Sequence, residues 1–317
     1  MPRFHRPGAV AAAIVLATLL LSCGSSLSGR GTSSASSGTT HGHGFPVSVH
    51  AANGEVQMPH RPARIVSLSP TATEMLFAIQ AGGQVVAVDD DSDYPPQAPT
   101  TKLSGYEPNV EAIAKYDPDL VVISNDPGQL TKSLRRLSIP ALLEPAARTL
   151  KDAYAQIGQL GTVTGHGRAA RRLVASMKTK IGRLVAAAPR FKSAPTYYHE
   201  LDQTYYSVTS NTFLGQLYRS LGLRDIADKA KGAGSGYPQL SAEYIIKADP
   251  DLIFLADTKC CGQSAATVAA RPGWNQIAAV KTGAVIPLDD DVASRWGPRV
   301  VDFLRVVVRA LNRLHGE

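Results

Sequence analysis

The chain predicts an α/β protein of two lobes joined by one long helix. Three observations point there. Past Phe45, short apolar runs alternate with segments of helical pattern. One helical stripe near the middle outruns every other in the chain. The stretches on either side of that stripe repeat a motif, as two lobes of common design would.

Arg64–Leu68 is a short apolar strand, and Ser69-Pro70-Thr71 opens a helix running to about Ile79, with Thr71 and Glu74 spaced as a capping box and Gly82-Gly83 as its stop. Val85–Val88 and Asp119–Ser124 read as strands, and Pro140–Glu144 as a weaker one. From Gly165 to Ala188 the apolar residues Ala170, Leu173, Val174, Met177, Ile181, Leu184, Val185 and Ala188 recur at helical steps. Such a helix would be about 35 Å long. It follows a Gly-rich stretch and stops at Pro189. Beyond it come a strand at Tyr197–Leu201, a helix at Asn211–Leu221, strands at Asp251–Leu255 and Ala284–Leu288, and a terminal helix at Val300–Leu314.

The repeat pairs Val110–Leu120 with Ala242–Leu252. In each copy a glutamate, Glu111 or Glu243, lies ahead of Asp-Pro-Asp-Leu and an apolar strand. Locally this is a short helix, a stop at proline, and a buried strand. Either glutamate is explained by helix-start electrostatics, or by two similar lobes offering two similar carboxylates to a symmetric receptor. A second correspondence sets Asp89-Asp90-Asp91 after one strand against Asp289-Asp290-Asp291 after another. Strand ends of this kind line the crevice of open α/β sheets.

The N-terminus reads as a targeting segment. Arg3 and Arg6 precede an apolar run from Ala9 to Leu21, too short to span a bilayer comfortably. The run ends in Leu20-Leu21-Ser22-Cys23-Gly24, which resembles the bacterial lipobox and implies lipidation of Cys23. Residues 24 to 44 are almost wholly Gly, Ser, Thr, Ala and His, the composition of a tether, and His41 and His43 read as part of it. Cys260 and Cys261 are adjacent and can form a vicinal disulfide or stay reduced; zinc is not expected from them. The formal net charge is +7. Its densest cluster, Arg168 to Lys180, has no interleaved aromatics, so a solvated helix face is expected and not a nucleic-acid site.

The order lipobox, Arg64–Glu74 (RIVSLSPTATE), Ser92–Ala98 (SDYPPQA), Val110–Ile113, long helix, Ser241–Tyr244 resembles the class III substrate-binding proteins of ABC importers for vitamin B12, ferric siderophores and haem. The resemblance covers nearly all of the chain past Pro59. It implies two Rossmann-like lobes bridged by the long helix with a ligand cleft between them. The expected division is a signal peptide at 1–22, lipidated Cys and tether at 23–44, an N-terminal lobe at 45–163, a connecting helix at 164–190 and a C-terminal lobe at 191–317. It also implies a membrane-anchored monomer on the outer face, docking through Glu111 and Glu243 onto arginines of a permease dimer that works with a cytoplasmic ATPase. The implied cargo is a metal chelate, cobalamin or another corrinoid or a ferric siderophore, with haem as the alternative. No resident cofactor or metal is expected.

Ser92–Ala98 is especially similar to the enteric vitamin B12 binder, but that protein's cleft aromatics are matched here by Asp91, Gly105 and Ser124, with Tyr106 beside the second. In the C-terminal half Tyr237, Asp291 and Arg295 match cleft positions. Tyrosine offers a rigid face and a hydroxyl that suit a flat chelate. Tyr106, Tyr205, Tyr206 and Tyr237 are therefore cleft candidates, with Trp296 beside Arg295; one of Tyr197 and Tyr198 is expected in the core, and Trp274 in packing. His199 and Glu200 fall on opposite strand faces and cannot easily share an ion. No enzyme is expected: Ser264 and Ser67 with His199 lack a nucleophile elbow, and Gly161–Gly167 lacks the lysine of a phosphate loop. An envelope interaction module without a transport role is the remaining reading.

Overall fold

The computed structural model describes residues 44–316. The signal segment, Cys23, His41, His43 and nearly all of the tether lie outside them. The described chain opens with an antiparallel hairpin, β1 (Val47–Ala51) and β2 (Gly54–Met58). The elements β3 (Ile65–Leu68), α1 (Pro70–Ala78), β4 (Val85–Val88), α2 (Val110–Ala114), β5 (Leu120–Ile123), α3 (Leu130–Arg136) and β6 (Ala141–Leu143) follow. Next come α4 (Leu150–Val163) and the long helix α5 (Gly167–Ala187). The second half runs β7 (Thr196–Glu200), α6 (Phe213–Ser220), β8 (Arg224–Asp225), α7 (Ala242–Ala248), β9 (Leu252–Leu255), α8 (Thr258–Cys261), α9 (Ala265–Ala269), α10 (Ala278–Lys281), β10 (Val285–Pro287), α11 (Asp290–Ser294) and α12 (Val300–His315).

Each half builds a four-stranded parallel sheet, in the order β4-β3-β5-β6 and β8-β7-β9-β10. Counted within its own lobe, each order is second, first, third, fourth, so the repeat extends to topology. The second aspartate of each Asp-Pro-Asp-Leu copy explains part of the repeat. Asp119 Oδ2 accepts from the Ala63 and Arg64 amides at 2.7 and 2.9 Å, and Asp251 Oδ2 accepts from the Thr196 amide at 2.7 Å. Each ties the third strand to the start of the first. The first aspartates, Asp117 and Asp249, take left-handed backbone at φ 46° and 45° one residue before the prolines; Asp249 caps α7, while α2 has already ended at Ala114 with Lys115 as its cap. The acidic runs are not part of the repeat: β4 is the second strand of its lobe and β10 the fourth of the other.

Strand alternation divides the apolar side chains between clusters. Ile65, Leu120 and Val122, with Tyr197, Leu252 and Phe254, join one central core shared by both lobes. Val66, Val121 and Ile123 face an outer N-terminal cluster, and Tyr198, Ile253 and Leu255 an outer C-terminal one. Both sheet faces are covered, as parallel sheets require. For that reason Tyr197 and Tyr198 are both buried, where a core and a solvent face are expected from alternation alone. α5 buries Ala170, Met177 and Ile181 against the same central core and packs on α4 and on α12, one helix from each half. All three clusters lie within residues 44–316, which belong to one compact unit.

Two local expectations are corrected. Ser69, not Thr71, is the N-cap of α1; its hydroxyl accepts from the Ala72 amide with Pro70 at the first helical position, and Thr71 and Glu74 are buried inside the helix. The helix ends before Gly82, at left-handed Gln80.

Candidate functional site

The C-terminal ends of the two sheets face each other. Arg295, just past α11, crosses between the lobes. Its Nη1 donates to Glu74 Oε1 and Asp93 Oδ1, both at 3.0 Å, and its Nη2 to the Asp91 carbonyl at 2.9 Å and Asp291 Oδ1 at 2.7 Å. Arg299 adds a two-point contact to the same glutamate, Nε to Oε2 at 3.0 Å and Nη2 to Oε1 at 2.5 Å. The Glu74 side chain is 1% exposed, so two guanidinium groups replace its water. Lys259 extends the chain of charges to Asp289 and Asp291 at 2.8 and 2.7 Å, and those partners hold its ammonium pKa well above the usual range. The acidic runs thus meet across the lobe boundary, joined by Arg295. Trp296 sits beside them, part-buried, its indole N–H donating to Gln156 Oε1 on α4 at 2.8 Å.

Above this floor the loops leaving the strand ends carry the exposed aromatics. Tyr94, Tyr106, Tyr206 and Tyr237 are 42%, 73%, 40% and 53% exposed, and with Leu137 they are the large apolar side chains most open to solvent among the described residues. Tyr94 and Tyr106 lie past β4, Tyr206 past β7 and Tyr237 past β8. The Tyr206 and Tyr237 loops are stitched together: Ser207 N–H donates to the Pro238 carbonyl and Leu240 N–H to the Tyr205 carbonyl, each at 3.0 Å. Tyr205 takes a left-handed backbone, φ 70°, and turns inward onto Trp274, ring centroids 5.6 Å apart. Arg271 lies over both rings and grips Glu200 with two bonds of 2.6 Å. Behind that pair Asp257 is buried with no hydrogen-bond partner on either oxygen, and burial, then the Glu200 charge, push its carboxyl up to about 7. His199, on the other strand face, meets Tyr218 Oη at 2.9 Å, so His199 and Glu200 serve separate partners.

The family description "Periplasmic binding protein" matches residues 65–292, most of the described chain. The chain is a class III periplasmic binding protein. The binding protein is 28% identical over 316 residues to an uncharacterized ABC transporter substrate-binding lipoprotein of Bacillus subtilis, covering 96% of this chain and 97% of that one. It is 30% identical over 280 residues to a cobalamin-binding protein of Halobacterium salinarum, covering 86% and 74%. A crystal structure of a possible iron-binding (periplasmic solute-binding) protein of Staphylococcus epidermidis superposes with a TM-score of 0.68 at 25% identity, covering 79% and 99%.

In this binding protein, Glu111 and Glu243 occupy matching places. Each is exposed and second in a short helix, behind an N-cap whose side chain accepts a backbone N–H: Asn109 from Ala112 at 2.8 Å, Ser241 from Tyr244 at 3.2 Å. The Glu243 carboxyl is held below its usual range by its own backbone N–H and by Ser241. Cys260 and Cys261 are joined as a disulfide at the end of α8, whose first amides, of Thr258, Lys259 and Cys260, all donate to Asp290 at 2.9 Å.

Tyr94 is an exposed aromatic of these strand-end loops that sequence reasoning passed over. It stands 42% exposed with Arg299 stacked 4.3 Å from its ring, inside the stretch Ser92–Ala98 that carries the resemblance. Gly105 has a packing reason: a Cβ there would come 2.8 Å from Asp89 Oδ2 and 3.0 Å from the Leu68 carbonyl. An aromatic cannot stand at 105 without moving the strand end, and Tyr106 is the neighbour free to present one. Gly105→Trp is expected to destabilise the protein by about 1–3 kcal/mol through overpacking, read as a lower melting temperature. An unchanged melt would show that the Asp89 loop yields freely.

Proposed function

We propose that the chain is the ligand-capturing component of an ABC importer, held at the outer face of the membrane by lipid on Cys23, and that its cargo is a metal chelate. Cobalamin or another corrinoid, or a ferric siderophore, fits this reading; haem is the second. The observation that carries it is the gathering of half-exposed tyrosines on the strand-end loops of both lobes. Four rigid phenol faces with free hydroxyls suit a large flat ligand whose edge bears polar groups. The chain's similarity to relatives named for cobalamin and iron points the same way.

Within the proposal Tyr94, Tyr106, Tyr206 and Tyr237 contact cargo, and Tyr205 supports the wall through Trp274. Arg295, Asp291 and Trp296 form the floor. Arg295 already makes four hydrogen bonds, so its part is to fix the lobes around the cargo, and a cargo group reaching it would displace Asp93, the most exposed partner. Glu111 and Glu243 dock the two lobes onto a permease dimer. Exposed ion pairs add little affinity, so their contribution is register and orientation.

Glu111→Ala with Glu243→Ala is expected to lower cargo uptake by cells at least tenfold while cargo affinity of the purified protein stays within twofold. Loss of affinity instead would place the carboxylates in the cleft. Normal uptake would remove them from docking.

A further inference from the structure

The chain's excess of positive charge is concentrated on two neighbouring helices. Helices α5 and α12 pack together and carry nine of the chain's 33 lysines and arginines but one of its 26 acids, Asp302, which pairs with Arg305. The remainder, 24 basic against 25 acidic residues, is close to neutral. All six cations of α5 are exposed: Arg168, Arg171, Arg172, Lys178, Lys180 and Arg183. Arg168, Arg172 and Arg183 fall on the face opposite Ala170, Met177 and Ile181, with Arg171 and Lys178 on one flank and Lys180 on the other, along a helix of about 31 Å. From Ala153 to His199 the sequence holds no acid. Arg309 and Arg313 of α12, which packs on α5, are exposed as well. None of these eight cations forms an ion pair with an acid among the described residues.

Protein stability does not call for this arrangement. Six like charges on one helix repel, and the core contacts of α5 are apolar. The burden is relieved by an extended anionic surface. A flat bilayer rich in anionic phospholipid has the dimensions of a 31 Å stripe, and basic groups near such a surface each add attraction that salt screens. The face lacks exposed aromatics that would stack on bases, which disfavours a nucleic acid. It also lies on different helices from Glu111 on α2 and Glu243 on α7, so both surfaces can act in one molecule.

We infer that the basic face formed by α5 and α12 rests the protein on anionic phospholipid headgroups. The inference does not depend on the identity of the cargo. It orients a tethered protein on the bilayer between deliveries.

The test uses residues 44–317, which contain every core cluster and no lipidation site. Flotation with phosphatidylglycerol vesicles at about 25 mM salt should recover the protein, with phosphatidylcholine vesicles leaving it in solution, and about 500 mM salt should release it. A variant with all six α5 cations changed to Gln should bind at least tenfold more weakly, with a melting temperature no lower than the parent's. Lys115→Gln with Lys231→Gln, exposed lysines elsewhere, should bind as the parent does. Equal binding to both lipids, no binding at low salt, or full binding by the six-Gln variant would overturn the inference. Capture by soluble polyanions such as heparin without capture by phosphatidylglycerol vesicles would overturn it too, assigning the face to a polymer.

Discussion

Glu74→Ala is expected to destabilise the protein by about 3–5 kcal/mol, the cost of leaving buried charge uncompensated. The carboxylate bridges two guanidinium groups from the other lobe, and both arginines are largely buried, at 9% and 15% side-chain exposure. Removing it leaves Arg295 with Asp93 and Asp291, but Arg299 with only a distant Asp289 at 3.9 Å and the Tyr94 ring. At roughly 2–4 °C per kcal/mol for a chain of this size, the melting temperature should fall by more than 6 °C. Glu74→Gln should cost less, since an amide oxygen still accepts. A cycle with Arg299→Ala should show coupling above about 1 kcal/mol, as for neighbours in one network. A Glu74→Ala cost below about 1 kcal/mol would reduce the network to an ordinary surface pair.

Stability should also fall as pH rises from 6.5 to 8.5. Glu144 is buried with an unpartnered Oε1, and burial pushes its carboxyl up to about 8. Asp225, buried beneath Tyr197, and Asp257 are each raised to about 7. Their unfolded values lie near 4. Between about pH 4 and 8 the folded state therefore holds more protons than the unfolded chain, and stability declines as pH passes through the folded values. His199 works the other way. Burial lowers it to about 3, so its contribution rises with pH from 3 and is complete above its unfolded value of about 6.5. Above pH 6.5 the carboxyls alone remain, and one such group changes stability by at most about 1.4 kcal/mol per pH unit. Glu144→Gln, which stays neutral, should flatten the profile in that window and exceed the parent at pH 8.5. Thermal melts read both; a parent profile that is flat or rises from 6.5 to 8.5 would remove the buried-carboxyl account.

The legible part of the fold was whatever leaves a local period. The stripe from Ala170 to Ala188 and the apolar strands at 65–68, 120–123 and 252–255 follow from side-chain spacing and reappear in place. Two elements had signals that were passed over. Asn53-Gly54 marks the β1–β2 hairpin, with Gly54 at φ 100°. Thr149 and Asp152 form the true capping box of α4, where Thr71 and Glu74 only share its spacing. The partner of Glu74 could not be read locally, since Arg295 lies 221 positions away and only the meeting of the lobes brings them together. Among the candidate residues, Tyr205 and Tyr206 are neighbours with opposite fates, set by one left-handed backbone at 205. The paired glutamates were legible because their repeat is also a repeat of topology.

The central claim, a cleft that captures a chelate, is tested most directly by equilibrium titration of the purified protein lacking residues 1–23, following its tyrosine and tryptophan fluorescence. Cobinamide, cobalamin, a ferric siderophore and haem make up the panel. Saturable quenching at one-to-one stoichiometry by one of them, weakened at least tenfold in Tyr206→Ala with Tyr237→Ala while the melt is unchanged, is the predicted result. Silence across the panel, or quenching that survives loss of both tyrosines, would contradict it.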